Sequence, residues 1–303
     1  MRDSTVGTLL VFGAAAGFGT IGIFGEIALA IDLRLATLLP VRFVVATLIV
    51  VGLALGRGWA FPESGRAWLV TLGLGVVYTA MTVCFFLSLR FLTAGIATII
   101  LYTYPTFVVA LSVSLLGEAA TTRKLISLAL ATSGVALVAG TGSVSVTPIG
   151  TGLALGAALC YAVYTTGSRA LSPSVAPRAL MLGVLVGATA SMLVFGVVDG
   201  GLALPTGPAE IGVVLGLALV ATVVPHLLFY EGVARLEASR VGLVSTVEPV
   251  VTVALGAAFL GEPVTLAIVA GGVLVLSGVL LVHSERGESG GVPEAPAVSE
   301  TDE

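Results

Sequence analysis

Residues Glu237 to Glu262, EASRVGLVSTVEPVVTVALGAAFLGE, are the stretch that decides the fold. The stretch is apolar and long enough to cross a bilayer as a helix, and it carries an acid and a proline, Glu248 and Pro249, near its middle. Residues Thr93 to Glu118, TAGIATIILYTYPTFVVALSVSLLGE, follow the same design. Both stretches end in Leu-Gly-Glu, and Pro105 precedes Pro249 by 144 residues. The chain therefore contains two copies of one proline-centred segment.

The offset of 144 residues holds beyond this segment. It aligns Ser133-Gly134-Val135 with Ser277-Gly278-Val279, and it aligns Phe85, Leu92 and Ala94 with Phe229, Leu236 and Ala238. A long self-similarity at a fixed offset indicates a duplicated structural unit. We expect a first repeat over residues 1–140, a second over 141–283 and an acidic cytoplasmic tail over 284–303. Since the tail is rich in Gly, Pro and Glu, it is predicted to be disordered.

The composition is that of a membrane protein. Of the 303 residues, 57% are hydrophobic and only 10% are charged, and the mean hydropathy is +1.13. Soluble domains carry about 25% charged residues, so a soluble fold of this length is disfavoured. The net charge of −4 comes from the tail, because the residues up to Ser284 hold 12 bases and 11 acids. No basic surface for nucleic acid is indicated. Cys84 and Cys160 lie in apolar runs without the spacing of a disulfide framework or a zinc site.

Ten segments have the length of a membrane-crossing helix, which needs roughly 20 mostly apolar residues. We number them spans 1 to 10, near residues 6–28, 35–55, 67–89, 94–115, 122–140, 149–169, 178–198, 211–233, 238–260 and 264–283. The first span is too long for a signal-peptide core and is expected to stay in the mature protein. The predicted fold class is an all-α polytopic membrane protein with ten transmembrane helices.

The positive charges predict the orientation. With the N-terminus in the cytoplasm, ten Lys and Arg residues fall on the cytoplasmic side and only Arg34 and Arg90 fall outside. Positive residues favour the cytoplasm, so we expect both termini inside. Because five spans per repeat is an odd number, the second repeat starts on the opposite side, and the two repeats are inverted. Inverted repeats recur in transporters, whose substrate site lies near the bilayer midplane between the repeats.

Two prolines near the midplane are expected to bend spans 4 and 9. Pro105 and Pro249 remove the helix hydrogen bonds to the carbonyl groups of Leu101 and Ser245. In lipid, carbonyl groups that are freed in this way need other donors. A proline that the helix simply tolerates is the plain alternative. The matched positions in the two repeats favour two kinked helices that line a cavity.

The polar side chains at this depth form the candidate substrate site. Glu248 is near the bilayer centre, where an ionised carboxylate is costly unless it is paired or hydrated. We expect it to bind the polar or cationic part of a cargo or to carry a proton that exchanges with cargo; helix packing is the alternative. Tyr161 and Tyr164 share a face of span 6, as His226 and Tyr230 do on span 8, and packing roles stay open for them. The candidate substrate-binding residues are Tyr78, Thr82, Tyr102, Tyr104, Tyr161, Tyr164, His226, Tyr230 and Glu248.

Four more charged residues are given structural roles. Arg42 lies about a third of the way into span 2. It has the position to meet a substrate carboxylate, but we expect it to snorkel outward or to pair with Glu26 near the outer end of span 1. Glu118 and Glu262 each follow a glycine at the end of spans 4 and 9. We expect these two acids to lie near the N-terminus of the next helix.

These features resemble the EamA-type transporters of the drug/metabolite transporter superfamily. The resemblance rests on the doubled five-span unit, on two proline-centred helices that end in Leu-Gly-Glu, on Gly134 and Gly278 in the helices that follow, and on Pro40-Val41-Arg42-Phe43 in span 2. It covers the chain apart from the tail. The chain departs from many relatives at Phe18, where Trp is common, and at Glu26, where a base is common. The resemblance implies a ten-helix carrier of the inner membrane that exports amino acids or other small metabolites by alternating access, without identifying the cargo.

Other function classes fit the residues less well. The ten predicted spans and the loops between them carry no HExxH, GxSxG, Walker or paired-carboxylate motif, so a membrane enzyme is disfavoured and no cofactor or metal is expected. A channel needs pore-lining rings, and a kinked, aromatic midplane suits a carrier better. A membrane sensor or structural protein stays an alternative. The expected partners are a small-molecule cargo and the lipid bilayer, not nucleic acid, and a homodimer is left open.

Overall fold

The structure is a computed structural model that describes residues 2–116, 121–140, 146–171, 174–236 and 238–288. All regular secondary structure within these ranges is helical. In the described part of the chain, nine helical spans are long and apolar enough to cross a membrane, and a shorter apolar helix, Leu266–Leu281, lies where span 10 is predicted. Glu118, residues 141–145 between predicted spans 5 and 6, and residues 289–303 lie outside the described residues.

Six spans are unbroken helices. Their bounds are Leu35–Arg57 for span 2, Gly65–Ser88 for span 3, Thr122–Gly140 for span 5, Pro148–Leu171 for span 6, Pro177–Val198 for span 7 and Leu266–Glu288 for span 10. The Ser64 hydroxyl caps the start of span 3 by accepting a hydrogen bond from the Ala67 amide. Span 10 continues to Glu288, beyond its predicted end at residue 283, so the first part of the predicted tail is helical.

Spans 4 and 9 are interrupted just before their prolines. Span 4 consists of the helices Ala94–Leu101 and Tyr104–Leu116. Span 9 consists of Ala238–Ser245, Val247–Leu255 and a π-helical turn, Gly256–Leu260. Because proline has no N–H, the turn before it loses a helix hydrogen bond and opens there. The interruptions leave main-chain carbonyl groups available in the middle of both spans.

Spans 1 and 8 are also interrupted, and they pack against each other. Span 1 consists of Arg2–Phe18 and Ile21–Ala30. Span 8 consists of Pro208–Ala218, the π-helical turn Leu219–Val223, and Val224–Val233. A π-helical turn inserts an extra residue and redirects the side chains around it. In this case the turn directs Thr222 into the bundle, where it is 1% exposed.

The contacts between the two repeats follow a two-fold pattern. Span 1 packs on span 8, and its counterpart, span 6, packs on span 3. Span 1 also packs on span 9, and the equivalent contact in the other half is that of span 6 with span 4. Likewise, span 2 packs on span 8, and the equivalent contact is that of span 7 with span 3. Spans 2 and 7, 4 and 9, and 5 and 10 pack on their own counterparts. This pairing confirms the predicted fold class, all-α with ten helices in two inverted five-helix repeats.

Close backbone contacts hold span 3 against span 7. A methyl group at Gly187 would lie 2.6 Å from the carbonyl oxygen of Leu72, and one at Gly75 would lie 2.5 Å from the amide nitrogen of Ala188. Only glycine permits these approaches. By contrast, Gly152 of span 6 has nothing within 4 Å of the corresponding position. Since lipid is as apolar as the side chains, helices in membranes associate through such close packing rather than through the hydrophobic effect.

Candidate functional site

A small cavity lies at the centre of the bundle, between spans 1 to 4 and span 9; we call it the inner cavity. Its volume is about 40 Å³, which is room for a few water molecules. The polar part of its wall is formed by Arg42, Tyr78, Thr82, Thr98 and Glu248. Both repeats therefore contribute to this wall, and it contains one basic and one acidic side chain.

Glu248 lies at the interruption of span 9 and is held by Tyr102 of span 4. The Tyr102 hydroxyl is 2.9 Å from Glu248 Oε2 and 2.8 Å from the carbonyl oxygen of Ser245. Because Pro249 cannot donate to this carbonyl, the phenol takes the place of the missing amide. One hydroxyl hydrogen thus faces two acceptors of the other repeat. The Tyr102 side chain thus joins spans 4 and 9 at their interruptions.

Arg42 of span 2 is buried in the wall of the inner cavity and is 1% exposed. Its Nε donates to Thr222 Oγ1 at 2.8 Å, and Thr222 in turn donates to the Leu217 carbonyl across the π-helical turn of span 8. The guanidinium carbon lies 5.1 Å from the centre of the Phe43 ring and 5.8 Å from that of Phe86. These are cation–π distances. The cation is therefore held in place by one hydrogen bond and two ring faces.

All six tyrosines of the chain belong to one cluster around the cavity. Ring centroids are separated by 6.1 Å for Tyr102–Tyr104, 4.3 Å for Tyr104–Tyr161, 6.1 Å for Tyr161–Tyr164 and 5.2 Å for Tyr164–Tyr78. Tyr230 lies close to Tyr78 and Tyr164. Phenol rings offer apolar faces and a polar tip. The cluster thus forms a wall that can pack against a cargo and hydrogen-bond to it.

His226 is held within span 8. Its Nδ1 lies 2.7 Å from the carbonyl oxygen of Thr222. Its ring packs edge-on against Phe18, with centroids 5.0 Å apart, and Phe18 belongs to the wall of the inner cavity. The His226 ring therefore adjoins the wall of the inner cavity through Phe18.

A larger cavity, which we call the vestibule, lies beside the inner cavity. Its volume is about 240 Å³, and Tyr102, Tyr104, Arg169 and Ser245 contribute to its wall. Arg169 stands near the end of span 6 that the charge pattern assigns to the cytoplasm. Tyr102 lines the vestibule, whereas its partner Glu248 lines the inner cavity. The Tyr102 phenol therefore stands between the two spaces.

At the opposite end of the bundle, two carboxyl groups meet the first turn of span 4. Glu262 accepts hydrogen bonds from the amides of Ala94 and Gly95 at 2.9 and 3.2 Å. Glu26 accepts from the same Ala94 amide, so the two carboxyl groups lie side by side. Helix N-termini attract such acceptors. The expectation that Glu262 serves the helix that follows it is wrong, because its carboxylate lies on a helix of the other repeat.

The two roles favoured for Arg42 are also wrong. Both Arg42 and Glu26 lie in the described part of the chain, and no ion pair joins them, because Glu26 is bound at the start of span 4. Snorkelling does not occur either, since the guanidinium bonds to Thr222 inside the bundle. The π-helical turn is the physical reason, because it offers a hydroxyl acceptor at the depth of the arginine.

The predicted residues thus fall into three groups. Tyr78, Thr82 and Glu248 line the inner cavity, Tyr102 and Tyr104 line the vestibule, and Tyr161, Tyr164, His226 and Tyr230 adjoin these walls through ring contacts or close approach. The candidate residues predicted from the sequence did not include Arg42, Thr98 and Thr222, and a contact of Arg42 with a substrate carboxylate was only the less favoured role. Thr222 precedes His226 by four residues and so shares its helical face, which was the available signal.

A solved crystal structure has the same fold. It aligns with a TM-score of 0.65 at 17% sequence identity and covers 94% of this chain and 99% of its own chain. Relatives found by sequence also align over most of the chain. An uncharacterized transporter of Archaeoglobus fulgidus is 27% identical over 247 residues, 81% of this chain and 87% of that protein. The threonine/homoserine exporter RhtA of Salmonella typhimurium is 27% identical over 270 residues, 86% of this chain and 84% of that protein.

The model of the EamA-like transporter family matches the chain twice, over residues 5–140 and 148–284. The two matches together span nearly the whole described structure. The relatives that carry a name are named transporters, which points to transport rather than enzymatic catalysis. The helices make this a multi-pass membrane protein. The chain belongs to the EamA-like transporter family.

Proposed function

We propose that this protein is a secondary transporter that exports small metabolites, such as amino acids or related compounds, across the cytoplasmic membrane by alternating access. The observation that carries the proposal is the Tyr102–Glu248 contact. It joins the two repeats and stands between a vestibule and a charged inner cavity. A relative that is named a threonine/homoserine exporter supports the cargo class.

The vestibule is proposed to face the cytoplasm, with both termini on that side. Basic side chains surround this end of the bundle. Arg178 and Arg235 both pair with Glu231, at 2.9 and 3.0 Å, and Arg178 lies over the Trp59 ring at 5.0 Å. Positive residues and interfacial indole rings favour the cytoplasmic boundary of a membrane. A cytoplasmic vestibule suits an exporter, which collects cargo inside the cell.

The proposed cycle uses the interruptions of spans 4 and 9 as bending points. Cargo enters the vestibule along the tyrosines, and its polar part replaces the Tyr102 hydroxyl at Glu248. The phenol keeps the Ser245 carbonyl as an acceptor, so its release from Glu248 leaves no buried hydroxyl unpaired. Release to the outside requires the contact of Glu26 and Glu262 with the start of span 4 to open. The carrier thus exposes one end at a time.

Counterflow in proteoliposomes tests the proposal. Vesicles that contain the purified protein are loaded with an unlabelled amino acid and diluted into a labelled trace of the same compound, over a panel of amino acids and other small metabolites. A carrier concentrates the label transiently, because each inward step is coupled to an outward step. Passive equilibration without overshoot would indicate a channel, and no flux for any compound would contradict transport.

The Glu248→Gln variant tests the site itself. Gln keeps the volume and an acceptor for Tyr102, so we expect expression and melting temperature close to those of the wild type. The charge that binds the polar or cationic part of the cargo is lost, and flux should fall at least about 10-fold, the lower bound for a charged hydrogen bond. Glu63→Gln, an exposed glutamate between spans 2 and 3, is the matched control and should transport normally. Wild-type flux in Glu248→Gln would remove this residue from the site.

A further inference from the structure

Arg42 is a buried cation that uses only part of its bonding capacity. A guanidinium has five N–H donors, and the one hydrogen bond described for Arg42 is made by Nε to Thr222. Its Nη1 is buried and makes no hydrogen bond to the described residues. A buried donor without an acceptor is costly, and a buried charge without a counter-charge is more so. Since the side chain lies in the wall of the inner cavity, an anionic group in that cavity would satisfy it.

The counter-charge is in the same cavity but is not in contact. Glu248 belongs to the facing wall, and no ion pair joins it to Arg42, although the structure describes both side chains. Glu248 is bound to Tyr102 instead. The other titratable groups near Arg42 are Tyr78 and His226, and neither supplies an anion that would neutralise it. Two opposite charges in an apolar interior attract strongly, so their separation by a cavity indicates a third group between them.

We propose that the inner cavity binds the charged head of a zwitterionic cargo, with the carboxylate of the cargo on Arg42 and its ammonium group on Glu248. This inference rests on the proposed transport function and adds the chemical class and the polarity of binding. A planar guanidinium suits a carboxylate, because two parallel N–H groups match its two oxygens. The two phenylalanine rings beside Arg42 fix the plane of the guanidinium.

Cargo with any other combination of charges leaves Arg42, Glu248 or both without a partner. An anion such as phosphate would meet Arg42 but would be repelled by Glu248 when that group is ionised. A simple amine would meet Glu248 and face the Arg42 cation. A neutral cargo would leave both charges without a partner in an apolar interior. A compound with a carboxylate and an ammonium group on the same carbon satisfies both walls across a space of about 40 Å³.

The experiment compares each cargo with two derivatives that lack one charge. The purified full-length protein is tested against the twenty protein amino acids and homoserine by thermal stabilisation, and compounds that bind are tested again as methyl esters and as N-acetyl compounds. We expect each derivative to bind about 10- to 100-fold more weakly than its parent, the usual effect of losing a charged hydrogen-bonded contact. A methyl ester that binds as tightly as its parent would overturn the proposal, and so would a panel in which no amino acid binds.

Two variants then assign each charge to its residue. In Arg42→Gln, the parent amino acid and its methyl ester should bind equally, whereas the N-acetyl compound should still be rejected. In Glu248→Gln, the parent and the N-acetyl compound should bind equally, whereas the ester should still be rejected. Glu63→Gln should discriminate as the wild type does. If both variants accepted the same derivative, either the methyl ester or the N-acetyl compound, the assignment would be overturned.

A second variant and the counterflow assay distinguish a wrong zwitterion site from misfolding and from the absence of transport. If Arg42→Gln fails to fold, Arg42→Lys keeps the charge but loses the planar fork, and it should reject the ester less strongly than the wild type does. Counterflow of a compound without a carboxylate, with no amino acid bound, would leave the proposed transport function standing and refute the zwitterion site. Absence of flux for every compound would refute the transport function itself.

Discussion

Replacing Tyr102 by phenylalanine removes one oxygen atom from the contact between the two repeats. The ring, which packs 6.1 Å from Tyr104, is kept. The hydroxyl loses its contacts with the Ser245 carbonyl and with Glu248. Hydrogen bonds between membrane helices contribute about 0.6 kcal/mol on average and up to about 1.7 kcal/mol. Because this contact belongs to the described conformation, its loss should shift the equilibrium toward the outward-open form by about 3- to 17-fold.

The shift can be measured at Thr98, which lines the inner cavity and is 3% exposed. A Thr98→Cys substitution, in a background that lacks the native cysteines, is labelled from outside with a membrane-impermeant maleimide. The rate follows the population of the outward-open form, so Tyr102→Phe should raise it by the same about 3- to 17-fold. Tyr161→Phe is the control, because it removes the same atom from a hydroxyl that makes no hydrogen bond to the described residues. Equal labelling rates in the two variants would refute the reasoning.

Three further outcomes are expected. A cysteine at Leu204 should react only with external maleimide and one at Glu63 only with internal maleimide, because the positive charges place the two loops on opposite sides; the reverse pattern would contradict the orientation. Gly187→Ala should lower the melting temperature, because its methyl group would lie 2.6 Å from a backbone oxygen of span 3, whereas Gly152→Ala should not; equal melting would contradict the packing argument. Deleting residues 289–303 should leave flux and melting unchanged, because a Gly, Pro and acid-rich segment buries little apolar area, and a failure to insert would count against this.

The repeat made the fold predictable from the sequence. The offset that pairs Pro105 with Pro249 identified two of the four interrupted spans, 4 and 9, and the apolar segments gave ten helices within a few residues of their observed ends. The tyrosines could also be assigned to the centre, because depth along a membrane helix can be counted from its ends. These inferences need only spacing along the chain.

The charged contacts could not be predicted in this way. Arg42 was expected to snorkel outward or to pair with Glu26, but its partner is Thr222, which lies in a π-helical turn that no spacing rule indicates. Glu262 was expected to serve the following helix, but its carboxylate reaches the amides of Ala94 and Gly95 in the other repeat. Each partner depends on how spans of different repeats face one another. That is a property of the packed bundle rather than of either segment.

The exchange of Tyr104 for Glu248 at equivalent positions has a consequence for energetics. With two identical inverted repeats, a two-fold rotation about an axis in the membrane plane would convert the inward-open form into the outward-open form, and the two forms would have equal free energy. In this chain the carboxylate belongs to one repeat only, and so does the π-helical turn that holds Arg42. The two forms therefore differ in free energy, and the protein without cargo populates one of them more than the other. Its affinities for cargo at the two membrane faces then differ by the free energy that separates the forms.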